Sequence, residues 1–283
     1  LILITCALGC QDASSEATPA SDSAIVIADG AVSDARAMDS AVMADMTTKN
    51  DVSVSTDATV FGDAGMLPPM AACDDSQPPV VMAHGFLGSG DTWAKQVQRF
   101  AANGLCGNRF YAFDWNSLDR DADHDATLDT FIDTVRGRHE ADQVDLFGHS
   151  AGGGLGYAYL IDPRHASKVR KYVHIASFPN EGPAGPVDSP VPTLNLWSSA
   201  DTVVAGMDIP GASNTELADT DHYAVATSAD SFRVIYQFLY GEDPMATEAV
   251  SKARSRLQGR LVSLGENTPQ SGGSVEVWAL DPH

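Results

Sequence analysis

A serine that lies between glycines is the first candidate for a reactive residue in this chain. Gly148-His149-Ser150-Ala151-Gly152 follows the apolar run at 144–147 and precedes a segment of helical character. Glycines at this spacing permit a sharp strand-to-helix turn that exposes the serine hydroxyl. The helix N-terminus beneath it adds positive potential where an oxyanion would form. We therefore predict that Ser150 is a nucleophile, with a merely glycine-rich turn as the alternative.

A serine hydroxyl needs a base, because the neutral alcohol is a poor nucleophile near neutral pH. In the arrangement that this turn typifies, an acid and then a histidine follow the serine along the chain. Of the eight histidines, His222 fits this order; the others precede or adjoin the serine, follow it too closely or lie at the chain end. Asp201 follows the apolar run at 193–197 and is the predicted acid, with Asp208 as the alternative.

A second motif could complete such a site. His84-Gly85-Phe86 ends the apolar run at 80–83. Gly85 lets the backbone approach closely, and the N–H of Phe86 could join that of Ala151 around a tetrahedral oxygen. A plain turn at the end of a strand is the alternative. We expect His84 to be a structural hydrogen-bonding residue.

The elements that must position these residues are predicted between residues 73 and 247, where apolar runs alternate with segments of helical spacing. Strands are predicted at 80–83, 110–113, 144–147, 172–176 and 193–197, and helices at 92–102, around 128–135, after the turn at 148–156, and at 225–240. This alternation predicts right-handed βαβ units and loops that carry function at the strands' carboxyl ends. The fold class is therefore predicted as α/β, with a mostly parallel sheet and helices on both faces.

Three segments, occurring in order, carry a family resemblance. They are Val80-Val81-Met82-Ala83-His84-Gly85, the stretch at 144–153 that contains Ser150, and Ser198-Ser199-Ala200-Asp201-Thr202-Val203-Val204. Together they resemble the small secreted bacterial lipases and esterases of the α/β-hydrolase fold, both the Bacillus-type lipases and their relatives with an extra C-terminal β-domain. The resemblance covers roughly residues 78–241.

The resemblance implies that Ser150 is the nucleophile, Asp201 the acid and His222 the base, with Phe86 and Ala151 as the oxyanion donors. It implies a serine ester hydrolase that forms an acyl-enzyme and uses no metal or organic cofactor. Lipase, carboxylesterase and polyester depolymerase would share this machinery. A catalytically silent, surface-tethered binding protein on the same fold is an alternative of a different class.

The longest segment that could hold a lid lies at 177–191. We expect no helical lid there, because prolines at close spacing block helix propagation and the segment has no apolar stripe. These prolines are Pro179, Pro183, Pro186 and Pro190.

The N-terminal flank differs from the rest of the chain. Residues 1–10 end in small residues and Cys10 and resemble the end of a signal peptide with a lipobox, in which the cysteine is lipidated. An ordinary signal peptide and a buried strand are the alternatives. Residues 11–72 are acidic and rich in Ala, Ser, Thr and Asp, so we predict a disordered stalk. The protein is expected to be exported, as a surface or outer-membrane lipoprotein associated with the membrane through Cys10, or as a secreted protein.

The C-terminal flank at 248–283 is predicted to be a connector followed by the start of a truncated β-domain. Apolar runs at 261–264 and 274–280 are separated by a turn-rich stretch. This pattern predicts a β-hairpin.

Two cysteines remain outside the predicted export signal. Cys73 and Cys106 each lie a few residues ahead of a predicted strand. If those strands are parallel neighbours, both cysteines lie at the same edge of the sheet. An oxidising compartment then favours a disulfide, with two free thiols as the alternative.

The composition and net charge of the chain indicate a folded protein that does not bind nucleic acids. Hydrophobic residues make up 43% and charged residues 19%, which suits a folded core. The net charge of -21 would repel phosphate backbones, so we expect no nucleic-acid partner.

The acidic loop at 119–125 resembles the start of a calcium-binding EF-hand loop. However, His124 stands where that loop needs Gly, and Thr130 where it needs a bidentate Glu. A solvated loop before a helix capped by Asp125 or Thr127 is expected, with a calcium site as the alternative.

Overall fold

A computed structural model of the chain describes residues 2–8, 23–25, 73–250, 260–271 and 273–279, of which 2–8, 23–25 and 273–279 are described by their backbone alone. The predicted lipidation residue Cys10, most of the predicted stalk at 11–72 and residues 251–259 lie outside the described residues.

The described chain alternates strands and helices. The strands are β1 (Ile2–Leu8), β2 (Ser23–Ile25), β3 (Val80–Ala83), β4 (Phe110–Phe113), β5 (Val144–His149), β6 (Val169–Ile175), β7 (Thr193–Trp197), β8 (Ser213–Glu216), β9 (Leu261–Ser263) and β10 (Gly273–Ala279). The α-helices are α1 (Ala94–Ala102), α2 (His124–His139), α3 (Ala151–Leu160), α4 (Pro163–Ala166), α5 (Ala224–Thr227) and α6 (Ala229–Tyr240), and short 3₁₀ turns span Gly90–Trp93 and Gly107–Arg109.

The centre of the fold is a six-stranded sheet in the order β4-β3-β5-β6-β7-β8, and every pairing in it is parallel. All residues of β3 and β5 are buried, which explains why these strands are nearly continuous apolar runs in the sequence. The fold is therefore the predicted α/β class, with a parallel sheet whose strand ends lie side by side.

Helices cover both faces of the sheet. Alternate side chains of β3 enter different cores: Val80 and Met82 pack with α1 and α6 around Phe100 and Phe232. The intervening β3 side chains pack on the opposite face with α2 and α3, around Leu128, Ile132 and Tyr159. This two-sided burial follows from the twofold alternation of side chains along a strand.

The structure differs from the predicted elements at two places near the end of the sheet. Strand β8 was not predicted, because its sequence Ser-Asn-Thr-Glu carries no apolar pattern and its residues are exposed or half-buried. The predicted single helix at 225–240 is wrong, since it is divided into α5 and α6. The division lies at Ser228, whose extended backbone and side-chain acceptance from the N–H of Ser231 start α6.

The two strands predicted as a C-terminal hairpin both form, but they pair with other partners. β9 pairs antiparallel with β2, and β10 pairs antiparallel with β1, which was predicted as an export-signal remnant with a strand as the alternative. The chain after β9 turns back on itself, with a bridge between Val262 and Pro269. The buried side chain of Asn267 donates a hydrogen bond to the loop after β3. This contact packs the segment after β9 against the α/β unit, and the predicted hairpin does not form.

The structure joins Cys73 and Cys106 by a disulfide, with their Cα atoms 5.0 Å apart. Next to it, Asp74 and Leu105 form a parallel bridge ahead of β3 and β4. A crosslink that closes a loop with a sequence separation of 33 restricts the unfolded chain and contributes about 3–4 kcal/mol by the chain-entropy relation.

The acidic loop ends in a capped helix. Asp123 caps α2, instead of the expected Asp125 or Thr127, by accepting a hydrogen bond from the N–H of Ala126 at 3.0 Å. Within the described ranges, no cluster of three or more His, Cys, Asp or Glu side chains could hold a metal ion. In the same ranges, no helix combines the length and apolar character needed to cross a membrane.

Helix α3 lies very close to the sheet because glycines face it. A Cβ on Gly152 would lie 2.4 Å from the carbonyl oxygen of Ala83 and 2.5 Å from that of His84, at the end of β3. A Cβ on Gly148 would lie 2.4 Å from the oxygen of Gly152. Backbone atoms cannot yield to such contacts as a flexible side chain could, so both positions need glycine.

We expect Gly152→Ala to destabilise the fold by at least about 2 kcal/mol, because the new methyl group overlaps main-chain atoms in a packed interior. Gly154→Ala is the matched control on the same helix, since a Cβ there meets nothing within 4 Å. Chemical denaturation of both variants measures the difference. Equal stability of the two variants would contradict the close approach of α3 to β3.

Candidate active site

Ser150 lies in a strained turn between β5 and α3. Its backbone adopts φ 53° and ψ -120°, a conformation that costs a non-glycine residue about 1–3 kcal/mol and persists only where its surroundings enforce it. Its N–H donates to the carbonyl of Ile175 at 2.9 Å, and its own carbonyl accepts from the N–H of Gly153 at 2.9 Å. The turn therefore fixes the serine at the start of a helix, with its side chain half-buried.

Asp201 and His222 come together beside the carboxyl ends of the strands. The Nδ1 atom of His222 lies 2.7 Å from Oδ2 of Asp201. The other carboxylate oxygen accepts from the N–H groups of Val203 at 2.8 Å and Val204 at 3.0 Å. Both carboxylate oxygens are thus occupied, and the imidazole is held with its Nδ1–H toward Asp201 and its Nε2 available to accept a proton.

The environment of Asp201 keeps it ionised. Burial by itself raises the pKa of the carboxyl group, but the hydrogen bond with His222 and the two backbone N–H groups lower it below the ordinary value of 3.8. The Asp201 side chain is 1% exposed and that of His222 is 19% exposed. A buried anion next to an accessible imidazole can stabilise the positive charge that the ring gains when it accepts a proton.

Asp208, the alternative acid, contacts Trp197 instead of His222. It accepts a hydrogen bond from the indole Nε1–H of Trp197 at 3.0 Å. The structure therefore brings Asp201, and not Asp208, to His222.

His149 links the loop of His222 to the serine turn, a role that the sequence did not indicate. Its Nε2–H donates to the carbonyl oxygen of His222 at 3.1 Å, and the two rings lie 4.8 Å apart between centroids. Burial, helped by repulsion from His222, lowers the pKa of His149 to about 4. His149 therefore stays neutral and donates this hydrogen bond throughout the neutral pH range, which places the base next to the residue that precedes Ser150.

Within the described part of the chain, the Ser150 hydroxyl and the His222 ring do not form a hydrogen bond. Such contacts are often long in unliganded serine enzymes and tighten when substrate binds. The ring of His222, the predicted base, packs against His149, the residue that precedes Ser150.

The loop after β3 lies against this turn. A Cβ on Gly85 would lie 3.0 Å from Cβ of Ser150, so glycine allows the backbone to pass close to the serine. Among the described residues, neither the N–H of Phe86 nor that of Ala151 donates a hydrogen bond to a protein acceptor. Backbone N–H groups without a protein acceptor close to a serine side chain can bind an oxyanion.

Three exposed apolar or aromatic side chains lie within two residues of predicted site residues or belong to them. Phe86 at the oxyanion loop is 54% exposed, Val203 beside Asp201 is 65% exposed and Tyr223 beside His222 is 49% exposed. Each of them adjoins a predicted site residue or is itself one.

Comparison with known proteins agrees with this architecture. The sequence profile of the alpha/beta hydrolase fold matches residues 78–208. No curated protein sequence matches the chain at a significant level.

The solved structures to which this chain is similar include three hydrolases. A mature-form lipase from Bacillus licheniformis aligns with 17% identity and a TM-score of 0.47, over 61% of this chain and 96% of its own. The carboxylesterase CesB from Bacillus subtilis aligns with 14% identity and a TM-score of 0.44, over 60% of this chain and 86% of its own. A predicted CIB-like hydrolase from Thermoplasma acidophilum aligns with 17% identity and a TM-score of 0.44, over 60% of this chain and 89% of its own.

The parallel sheet, the serine turn at its centre and the profile match at 78–208 lead to one conclusion about the architecture. This chain has the α/β-hydrolase fold.

Proposed function

We propose that this protein is a carboxylic ester hydrolase that forms an acyl-enzyme on Ser150. The observation that carries the proposal is the 2.7 Å contact between His222 Nδ1 and Asp201 Oδ2, next to a serine held at φ 53° at the start of a helix. A nucleophile, a base and an oriented acid in this order along the chain are the parts that acyl transfer needs. A silent binding protein would not need an imidazole that is hydrogen-bonded to a buried carboxylate beside a strained serine.

In the proposed first step, Nε2 of His222 accepts the proton of the Ser150 hydroxyl while Oγ attacks the ester carbonyl carbon. Asp201 holds the Nδ1–H and stabilises the imidazolium that forms. The carbonyl oxygen gains negative charge and accepts hydrogen bonds from the N–H groups of Phe86 and Ala151.

The tetrahedral intermediate then collapses. The alcohol leaves with the proton that His222 returns to it, and the acyl group stays on Ser150. Water, deprotonated by the same imidazole, then attacks the acyl carbon. The bond between this carbon and Oγ of Ser150 breaks, the imidazolium returns its proton to Oγ, and the carboxylic acid is released. Neither step calls for a metal ion or an organic cofactor.

The surroundings of the site favour ester substrates with apolar acyl groups, through the exposed side chains of Phe86, Val203 and Tyr223. The segment at 177–191 contains no helix, which supports an open site that has no helical lid and does not require an interface for activation. Triacylglycerol lipase and carboxylesterase activities both fit these features. Polyesters are a further substrate class for the same triad.

We also propose that the protein is exported. The disulfide between Cys73 and Cys106 supports this, because such bonds persist in oxidising compartments. A lipid anchor at Cys10 would place the enzyme at a membrane surface, with the acidic segment at 11–72 as the spacer.

Replacing the nucleophile tests the proposed activity. We expect Ser150→Ala to lower kcat on a short-chain p-nitrophenyl ester by at least about 10⁴-fold, because the serine and its base act as a unit. Ser167→Ala is the matched control, since Ser167 is exposed and lies ahead of β6, at the other end of the sheet. Undiminished activity of Ser150→Ala, or loss of wild-type activity to a chelator, would contradict the mechanism.

The pH dependence tests the base. We expect kcat/KM to fall as the pH is lowered from about 8 to about 5, because protonated His222 cannot accept the serine proton. The two titratable groups in contact with His222 keep their protonation states in this pH range. The pKa of His149 is lowered to about 4, and that of Asp201 lies below 3.8. A profile that stays flat down to about pH 5 would rule out a histidine base.

A further inference from the structure

The C-terminal segment contributes one buried side chain to the loop that carries the proposed oxyanion donor. Asn267 is 5% exposed, and its Nδ2 lies 3.0 Å from His84 Nε2, 3.0 Å from the carbonyl oxygen of Gly88 and 2.9 Å from that of Trp115. Three acceptors around one amide nitrogen fix the orientation of the side chain, because its oxygen could not face two carbonyl groups. A residue about 180 positions away in sequence thus holds both ends of the loop after β3.

His84 connects Asn267 to the backbone of Gly85. Nε2 of His84 faces two donors, Nδ2 of Asn267 at 3.0 Å and the backbone N–H of Trp115 at 3.3 Å. The ring proton therefore lies on Nδ1, which donates to the carbonyl oxygen of Gly85 at 2.8 Å. Burial lowers the pKa of His84, so the ring keeps this neutral form. Trp115 stacks on the ring at 5.8 Å between centroids and donates from its indole Nε1–H to the carbonyl oxygen of His84 at 3.0 Å.

The carbonyl that His84 binds belongs to the peptide whose N–H is the oxyanion donor. The oxygen of Gly85 and the N–H of Phe86 are part of one planar trans peptide and point in opposite directions. The Gly85 oxygen also accepts from the N–H of Gly88 at 3.0 Å. Fixing this oxygen therefore fixes the direction of the Phe86 N–H.

The same segment holds the other side of the loop. The carbonyl oxygen of Gly265 accepts from the N–H of Ser117 at 3.1 Å and from its hydroxyl at 3.3 Å. The Ser117 hydroxyl oxygen accepts from the N–H of Leu87 at 2.9 Å, and Leu87 has a left-handed φ of 60°. The residues that flank Phe86 are thus each connected to the segment at 265–267 through one side chain, Gly85 through His84 and Leu87 through Ser117.

We propose that Asn267 is a positioning residue for the oxyanion donor at Phe86 and that it acts through His84. This inference rests on the proposed ester hydrolysis. Asn267 itself does not touch the substrate. It orients the imidazole whose Nδ1–H holds the Gly85–Phe86 peptide with its N–H toward the site.

The test uses the full chain with Asn267→Asp and Asn267→Ala. Asn267→Asp keeps the shape of the side chain and removes its donor group. Thr268→Asp and Thr268→Ala are the matched controls, since Thr268 is exposed one residue further along. We would measure kcat and KM on a p-nitrophenyl ester per titrated active site, the inhibition constant of an aryl trifluoromethyl ketone, and the thermal midpoint.

Both Asn267 variants are expected to lower kcat by about 10- to 100-fold. A misdirected N–H group loses part of the transition-state stabilisation that is lost when an oxyanion donor is removed. The ketone, which forms a tetrahedral oxyanion on the serine, should lose affinity by a similar factor. KM should stay within about threefold. A purely structural role would lower the thermal midpoint or the titrated fraction and leave kcat per active site and the ketone affinity unchanged, which would overturn the proposal.

A double-mutant comparison tests the route through His84. In a His84→Gln background, Asn267→Ala should change kcat by less than about twofold, because residues that act through one contact are not additive. Independent losses in the two variants would overturn the route. Should Asn267→Ala fail to fold, the isosteric Asn267→Asp variant decides alone. Failure of the proposed function would look different, as the wild type itself would neither hydrolyse the ester nor bind the ketone.

Discussion

The close contact between the serine turn and the end of β3 is the constraint on which the rest of the site depends. Gly152 lies so near the carbonyl groups of Ala83 and His84 that no side chain fits between them. This contact holds the strained backbone of Ser150 and aligns the N-terminus of α3 with the loop after β3. Loss of the contact would separate Ser150, the predicted nucleophile, from the proposed oxyanion donor at Phe86, although neither residue would change chemically.

The remaining parts of the site come from the loops that follow neighbouring strands of a parallel sheet. The oxyanion loop follows β3, the serine follows β5, Asp201 follows β7 and His222 follows β8. Parallel pairing brings these carboxyl ends to one edge. Hydrogen bonds from His222 and two backbone N–H groups keep Asp201 an anion despite its burial, whereas burial keeps the inner histidine at 149 neutral.

The serine turn, the strands of a mostly parallel sheet and the position of Asp201 after one of them could be predicted from the sequence, because each depends on local signals: glycine spacing and apolar runs. Strand β8 could not, since Ser-Asn-Thr-Glu at a sheet edge needs no apolar pattern. The division of the last helix had a local signal in Ser228 that was overlooked. The contact of Asn267 with His84 spans 183 residues, and a polar residue in a turn carries no sign of a distant partner. The pairing of β9 and β10 likewise depends on long-range contacts.

Covalent labelling with a serine-reactive probe tests whether Ser150 is a nucleophile that His222 and Asp201 activate. The full chain would be treated with an alkyl fluorophosphonate and the modified peptide identified by mass spectrometry. We expect one adduct, on Ser150, formed at a rate that Asp201→Asn lowers by at least about 100-fold and that Asp208→Asn leaves nearly unchanged. An adduct on another residue, or equal labelling rates in the two aspartate variants, would contradict the account.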